Sequence, residues 1–360
     1  MWREILEKRD SMPENGVVIG IYGTGLGGRM VFRALQRLGI PVGFFLDGDA
    51  RKQGSYCCGK KIIDLDDAGL NAYIWIAADP AYKIHERLEC RNMRWDYVDP
   101  AYIYLYSEGY DSIKIRSIFQ EHKNSICRVY DMLEDEMSKK VFQSILMHRL
   151  EHDLSRIQDI YDENQYFGND VIPYISGNVV DCGAYTGDTL RRFLGQLSEG
   201  GKMDSHYFAF EAGRHNSEAI LSFCKDCGYE NIKVYNIVVS DKKKQLYFGN
   251  GGTEEDGTGR AADAGHSGMV KVEGNSIDNV LGEMRVDMIT MDIEGDEISA
   301  LHGAERCIHA WRPKLAVSAY HDIYHLWKVP LLIKELEPDY HIFYRHHRWN
   351  MHDTVCYAVK

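Results

Sequence analysis

The chain has 360 residues, 44% of them hydrophobic and 27% charged, which excludes intrinsic disorder and suffices for two cores of roughly 130–200 residues each. Asp and Glu outnumber Lys and Arg by 54 to 42, a formal charge of −12, and this argues against a general binder of nucleic acid or anionic membrane, whose affinity rests on excess cation. There is no apolar run near the ~18 residues of a membrane span, the opening MWREILEKRD lacks a signal peptide's apolar centre, and nine scattered cysteines read as reduced thiols, so a cytoplasmic protein is expected.

Taken in chain order, Val17–Tyr22 reads as a buried strand, the glycines after it as a tight turn, and Arg29–Leu38 as a helix. Val42–Leu46 and Ala72–Ala78 read as further strands. Strands alternating with helices at this spacing imply a Rossmann-like parallel α/β domain over residues 1–112. Helical signals dominate residues 113–170, with apolar residues at Val141, Ile145, Leu146, Leu150, Leu154 and Ile157 forming one stripe. This segment is expected to connect two domains, and its stripe could also serve a homodimer.

A second α/β block occupies residues 171–360, with strands expected at Asn178–Cys182, His206–Phe210, Lys233–Val239, Met288–Ile293 and Leu315–Tyr320. His341–Tyr344 and Thr354–Val359 flank a short polar stretch and so predict an antiparallel hairpin. Gly249–Gly268 is rich in glycine and poor in large apolar residues. It is expected to be a mobile loop that orders around ligands and leaves the cofactor's affinity within about tenfold when shortened.

Two glycine turns follow strands. Gly23, Gly25 and Gly28 fit G-x-G-x-x-G, a spacing that lets phosphate approach a helix N-terminus, and Asp47 ends the next strand where a ribose-binding carboxylate commonly sits. The alternative is that these glycines only pack helix against strand. In the second turn, VVDCGAYTGDT, Asp181 ends a strand, Gly183, Ala184, Tyr185, Thr186 and Gly187 make the turn, and Asp188 and Thr189 open a helix. Glu211 then ends the following strand in HYFAFEAG, placed to accept hydrogen bonds from both hydroxyls of a ribose. The G-x-x-x-G spacing favours S-adenosylmethionine over a dinucleotide. A purely structural role for Asp181 and Glu211 as strand ends is the alternative.

Several further stretches carry a family likeness. QYFGND, VVDCGAYTGDT, FAFEAG, IVVSDKK, DMITMDIEGDEISALHGAERCI, RPKLAVSAYH, LWKVPLLI, FYRHH and TVCYA occur in order over residues 130–360. Together they resemble the FkbM family of S-adenosylmethionine-dependent methyltransferases. The resemblance implies a class I methyltransferase sheet of seven strands with an antiparallel last strand, and O-methylation of sugars or other hydroxylated molecules. YGTGLGG, GFFLDGD and AADPAY in the first block are similar to the N-terminal domain of sugar O-acetyltransferases, which implies a nucleotide-sugar ligand or a relic of one.

Methyl transfer to a hydroxyl needs an aligned nucleophile, excluded water and a base. Asp292 and Glu294, two apart after a strand, and His321, at the end of its neighbour, are the catalytic candidates, with His321 as base and Asp292 orienting it. Ser240 and Asp241 are expected near the adenine. No resident metal is expected, though Asp292, Glu294 and His321 could instead hold a divalent cation. Cys224 and Cys227 form a lone C-x-x-C, a poor zinc signal. Arg345, His346, His347 and Arg348 could contact an anionic substrate or form the solvated end of the hairpin. A non-catalytic protein that binds nucleotide-sugar or S-adenosylmethionine, or an NAD-linked oxidoreductase using Gly23, Gly25, Gly28 and Asp47, remains the alternative.

Overall fold

The computed structural model describes residues 17–37, 39–78, 81–97, 112–151, 155–198, 205–249, 259–263, 265 and 269–360. These residues divide into two compact units. The first comprises the described residues up to Glu121 with Ser144–Tyr161 and Arg348–His352; the second comprises His122–Gln143, Asp162–His347 and Asp353–Lys360. The helical segment 113–170 is therefore shared between the two units. Leu154 of its expected stripe lies outside the described residues.

In the first unit, β1 (Ile19–Tyr22), α1 (Leu26–Arg37), β2 (Val42–Leu46), β3 (Tyr56–Cys57), β4 (Lys60–Ile63), β5 (Tyr73–Ile76), α2 (Ala81–Glu89), β6 (Arg94–Tyr97) and α3 (Ser112–Glu121) follow in order. The sheet order is β3-β4-β2-β1-β5-β6, parallel except for β3. Side chains alternate across a strand, and here both faces are apolar. Ile19, Ile21, Tyr73 and Trp75 join the core on one face, while Tyr22, Ile74 and Ile76 join the core on the other. A sheet buried on both faces reads as a near-continuous apolar run, which is why β1, β2 and β5 were legible.

In the second unit, α4 (Lys123–Met132) and α5 (Glu136–Glu151) precede β7 (Val179–Cys182), α6 (Asp188–Ser198), β8 (Tyr207–Phe210), α7 (Arg214–Cys227) and β9 (Ile232–Tyr235). After these come β10 (Val238–Val239), β11 (Lys244–Gly249), β12 (Arg260–Ala262), β13 (Val270–Asn275), α8 (Ile277–Leu281), β14 (Met288–Met291), α9 (Glu297–His302) and α10 (Glu305–Trp311). β15 (Lys314–Ser318), α11 (His325–Leu336), β16 (His341–His346) and β17 (Thr354–Val359) complete the unit. Residues 144–151 of α5 group with the first unit.

The main sheet of the second unit has seven strands in the order β16-β17-β15-β14-β7-β8-β9. β9, β8, β7, β14 and β15 are parallel, and β17 runs antiparallel to both β15 and β16. All residues of β7, β8 and β14 are buried. The order reverses direction between β7 and β14, and ligands of open α/β sheets bind outside the carboxyl ends of the strands at such a point.

Two sequence expectations need correction here. The stretch Lys233–Val239 is not one strand: β9 ends at Tyr235, and Val238–Val239 pairs with β13 in a second sheet of order β10-β13-β11-β12. The segment Gly249–Gly268 is not wholly a loop, because Arg260–Ala262 pairs antiparallel with β11. Residues 250–258, 264 and 266–268 lie outside the described residues.

Candidate active site

The second glycine turn forms because only a residue without Cβ fits two of its positions. Gly183 has φ +86°, and a Cβ there would lie 2.0 Å from the Asp292 carbonyl oxygen. Gly187 has φ +84°, also in the left-handed region. The turn is pinned to the next strand, since the N–H groups of Gly183 and Ala184 both donate to the Phe210 carbonyl. Tyr185 takes φ +45°, and its N–H donates to Glu211 Oε2 at 2.8 Å. The other oxygen of Glu211 accepts from the Gly213 N–H at 2.7 Å. Burial, the largest influence, pushes the Glu211 carboxyl above its ordinary range, and these two N–H groups pull the other way.

Glu211 and this turn open onto a cleft continuous with solvent. Gly183, Tyr185, Phe210 and Glu211 line one side, and Asp292, Ile293, Glu294 and Asp296 line another. Val238 and Val239 of β10, Phe248 of β11, and Gly259 and Ala261 beside and within β12 also line it. The small second sheet thus contributes a wall.

The acidic side is built on the end of β14. Asp292 N–H donates to the Cys182 carbonyl, and the Asp292 carboxylate accepts from the Tyr166 hydroxyl at 2.8 Å and the Tyr320 hydroxyl at 3.1 Å. Tyr166 is itself held from behind. Its N–H donates to the Tyr357 hydroxyl, which lies 2.8 Å from His347 Nε2, while His347 Nδ1 lies 2.7 Å from the Asp162 carbonyl. A carbonyl only accepts, so Nδ1 carries the proton and Nε2 takes the Tyr357 hydroxyl hydrogen. Burial lowers His347 to about 4 and keeps it neutral.

His321 stands behind the acidic side. Its side chain is 3% exposed, with Nδ1 2.8 Å from Oε1 of the fully buried Glu297, and Nε2 3.4 Å from Asp292 Oδ1 and 3.6 Å from Glu294 Oε2. Burial opposes its charged form, but Glu297 first, then Asp292 and Glu294, outweigh that and raise it to about 9. His325 Nδ1 lies 3.1 Å from the second oxygen of Glu297. Burial works to raise Glu297, yet these two histidines hold its carboxyl well below the usual range. Asp296 is pushed up to about 6, chiefly by burial and then by Glu297. Asp292, Glu297 and His321 bring donor atoms within 4.8 Å of one another.

Glu294 (φ +57°) and Tyr166 (φ +66°) join Tyr185 in the left-handed region. Such non-glycine positions cost about 1–3 kcal/mol each and persist where the surroundings over-determine them.

The structure brings Gly183, Tyr185, Glu211, Asp292 and Glu294 to one cleft, with His321 behind it. It does not bring the other expected residues there. Asp181 is buried and accepts from the Tyr207 and Thr290 hydroxyls at 2.6 and 2.8 Å, with its carboxyl raised by burial to about 7. Ser240 is buried, near Ser299 and Asp241, and Asp241 pairs with Lys244. Ala184 and Thr189 are buried, and Asp188 lies in the first turn of α6. The Thr186 carbonyl accepts from Arg191. The carboxylates around His321 favour its protonated form, whereas the base role expected from sequence uses the neutral ring.

The cluster at the end of β16 is only partly solvated, because Arg348 is exposed while the other three residues are buried. Arg345 is buried between Asp135 and Asp170, and His346 and His347 are buried as well. Cys224 is buried and Cys227 exposed. Tyr166, Tyr320 and Glu297 were missed, although QYFGND and SAYH carry two of them and Glu297 lies three residues beyond Glu294.

In the first unit, Gly23 has φ +118° and a Cβ on Gly28 would lie 1.9 Å from the Gly23 carbonyl oxygen, so these glycines do pack helix on strand. A Cβ on Gly25 would meet open space. The Asp47 carboxylate already accepts from the Thr24 N–H and hydroxyl and pairs with Lys52 Nζ at 3.0 Å.

No helix among the described residues is long and apolar enough to cross a membrane. No curated protein matches the chain. A crystal structure of the methyltransferase FkbM from Methylobacillus flagellatus KT has a similar fold, with a TM-score of 0.68 at 20% identity, covering 99% of this chain and 92% of that one. A precorrin-6y C5,15-methyltransferase from Geobacter metallireducens GS-15 (TM-score 0.32, 11% identity) covers 52% of this chain and 81% of its own. Fibrillarin from Aeropyrum pernix, solved with natively bound S-adenosyl-L-methionine (TM-score 0.32, 10% identity), covers 53% of this chain and 70% of its own. Residues 181–352 match the family model of the methyltransferase FkbM domain.

Proposed function

We propose that the protein is an S-adenosylmethionine-dependent O-methyltransferase of class I architecture, acting on a hydroxyl of a sugar, glycan precursor or related metabolite. The order β16-β17-β15-β14-β7-β8-β9 with a reversed β17 supports the class I assignment. The observation that carries the reading is the pairing, across one cleft, of a buried carboxylate beside a glycine turn with two carboxylates at the end of β14. Glu211 retains acceptor capacity beyond its donors Tyr185, Gly213 and Asn216 and fits the two hydroxyls of a ribose. When bound there, S-adenosylmethionine supplies a methyl group made electrophilic by its sulfonium sulfur.

This chain's own residues would align the acceptor and take its proton. Asp292 and Glu294 are partly exposed to the cleft, and carboxylates suit both tasks for a neutral polyol, accepting its hydroxyl hydrogens. Tyr166 and Tyr320 fix the Asp292 carboxylate by donating to it. Phe248, Gly259 and Ala261 line the cleft and would limit water beside a bound acceptor.

S-adenosylmethionine should raise the melting temperature of the full chain. Binding to the native state stabilises it by about 2.7 kcal/mol at 100 times the dissociation constant. Glu211→Ala should abolish that rise. The absence of any shift with S-adenosylmethionine or S-adenosylhomocysteine would overturn the proposal.

A further inference from the structure

We infer that Asp292, Glu294 and His321 form a binding site for a divalent transition-metal ion at the wall of the cleft. A pair of neighbouring acids alone would not carry this. What adds to it is His321 Nε2, buried in a side chain only 3% exposed, without a hydrogen-bond partner, and aimed between the two carboxylates. Bond lengths of about 2.0–2.2 Å to nitrogen and oxygen hold neighbouring donor atoms about 3–3.5 Å apart. Nε2 lies 3.4 Å from Asp292 Oδ1 and 3.6 Å from Glu294 Oε2, so both carboxylates face the same ring nitrogen, and ligation requires the Glu294 side chain to swing toward Asp292.

The supporting contacts are those a metal-binding histidine needs. Glu297 Oε1 faces Nδ1 at 2.8 Å and also accepts the Ile293 N–H, which fixes the ring and leaves the Nε2 lone pair for an ion once its proton is released. Tyr166 and Tyr320 orient the Asp292 carboxylate in the same way. Among the described residues, the ion-pair partners of Asp292 and Glu297 are histidines, so a cation would also neutralise buried negative charge. One imidazole and two carboxylates suit manganese, iron or zinc better than calcium or magnesium.

The role of the ion rests on the methyltransferase reading, but its binding does not. An acceptor hydroxyl ligated in an open position would lose its proton more readily.

The test is titration of the EDTA-dialysed full chain with Mn2+, followed by loss of the free-ion electron paramagnetic resonance signal, with Zn2+ as competitor. One Mn2+ per chain should bind and be displaced by Zn2+. Glu294→Gln and His321→Asn should each weaken binding, and Glu297→Gln should weaken it about 10–100-fold. Circular dichroism identifies any variant that fails to fold, and Glu294→Gln, at the cleft surface, guards against that failure. Absence of Mn2+ and Zn2+ binding, or binding that no variant weakens, overturns the inference. A melting shift with S-adenosylmethionine, measured on the same ion-free protein, shows separately whether the methyltransferase reading stands.

Discussion

At the scale of single residues, Asp181 shows how position and environment part company. The sequence places it where a cofactor ligand belongs, at the end of β7 before the glycine turn. Its side chain points instead into the sheet, bonded to Tyr207 and Thr290, and burial raises its carboxyl to about 7. Folding therefore binds a proton at Asp181 between the unfolded value near 3.8 and about 7. Its contribution to stability is complete below about 3.8 and is lost as pH rises through 7, by on the order of 4 kcal/mol. Asp181→Asn keeps both an acceptor and a donor for its two hydroxyl partners while removing the titration. The variant should be more stable than the parent at pH 8, and its urea-unfolding free energy should fall less between pH 5 and pH 8. Its affinity for S-adenosylmethionine should stay within about threefold, or under ~0.7 kcal/mol. A tenfold loss of affinity in a stably folded Asn variant would return Asp181 to the cofactor site.

At the scale of elements, burial decided what the sequence revealed. The strands β7, β8 and β14 are buried at every position and stand out as apolar runs. β11 (KQLYFG) and β13 (VKVEGN) each bury one residue, so neither produced a run or a regular alternation. The glycines between them read as a loop although Arg260–Ala262 is a strand. The same limit applied to the site. Glu211 and Asp292 are legible because they end apolar runs, whereas Tyr166 reaches Asp292 across 126 positions of sequence, a contact that only the fold creates.

The placement of β12 changes what shortening this segment should do. Gly259 and Ala261 line the cleft, as does Phe248 opposite them. A Cβ on Gly259 would lie 2.4 Å from the Phe248 ring, so that glycine is needed for the close approach. Replacing residues 249–268 with a short Gly-Ser linker should leave the seven-stranded sheet folded, because β12 sits at the edge of the other sheet. Affinity for S-adenosylmethionine should fall by more than about tenfold, at least ~1.4 kcal/mol. Calorimetric titration of the shortened chain measures it, and an unchanged dissociation constant would show that β12 is no part of the cofactor's wall.

At the scale of the whole molecule, the second unit begins earlier than its glycine turn suggests. His122–Gln143 belongs to it, and specific contacts explain why. Ser138 accepts the Tyr344 N–H, Glu134 N–H donates to the Ile342 carbonyl, and Asp135 and Asp170 together hold the buried Arg345 guanidinium. Burial alone would lower the pKa of Arg345, but these two carboxylates outweigh it and raise it above its ordinary value. A fragment spanning residues 171–360, the domain expected from sequence, lacks both carboxylates and leaves a buried cation unpaired. Losing one side of a buried pair costs about 3–5 kcal/mol. The fragment 122–360 should therefore unfold at higher urea than 171–360, with a free-energy gap of at least that size. Lost packing could produce a gap too, but it responds differently to Arg345→Met. That substitution removes the stranded charge while keeping an apolar stem, so it should stabilise 171–360 and destabilise 122–360, where the ion pairs are intact. Destabilisation of both fragments would assign the early helices a packing role and remove the ion pairs as the reason for the boundary.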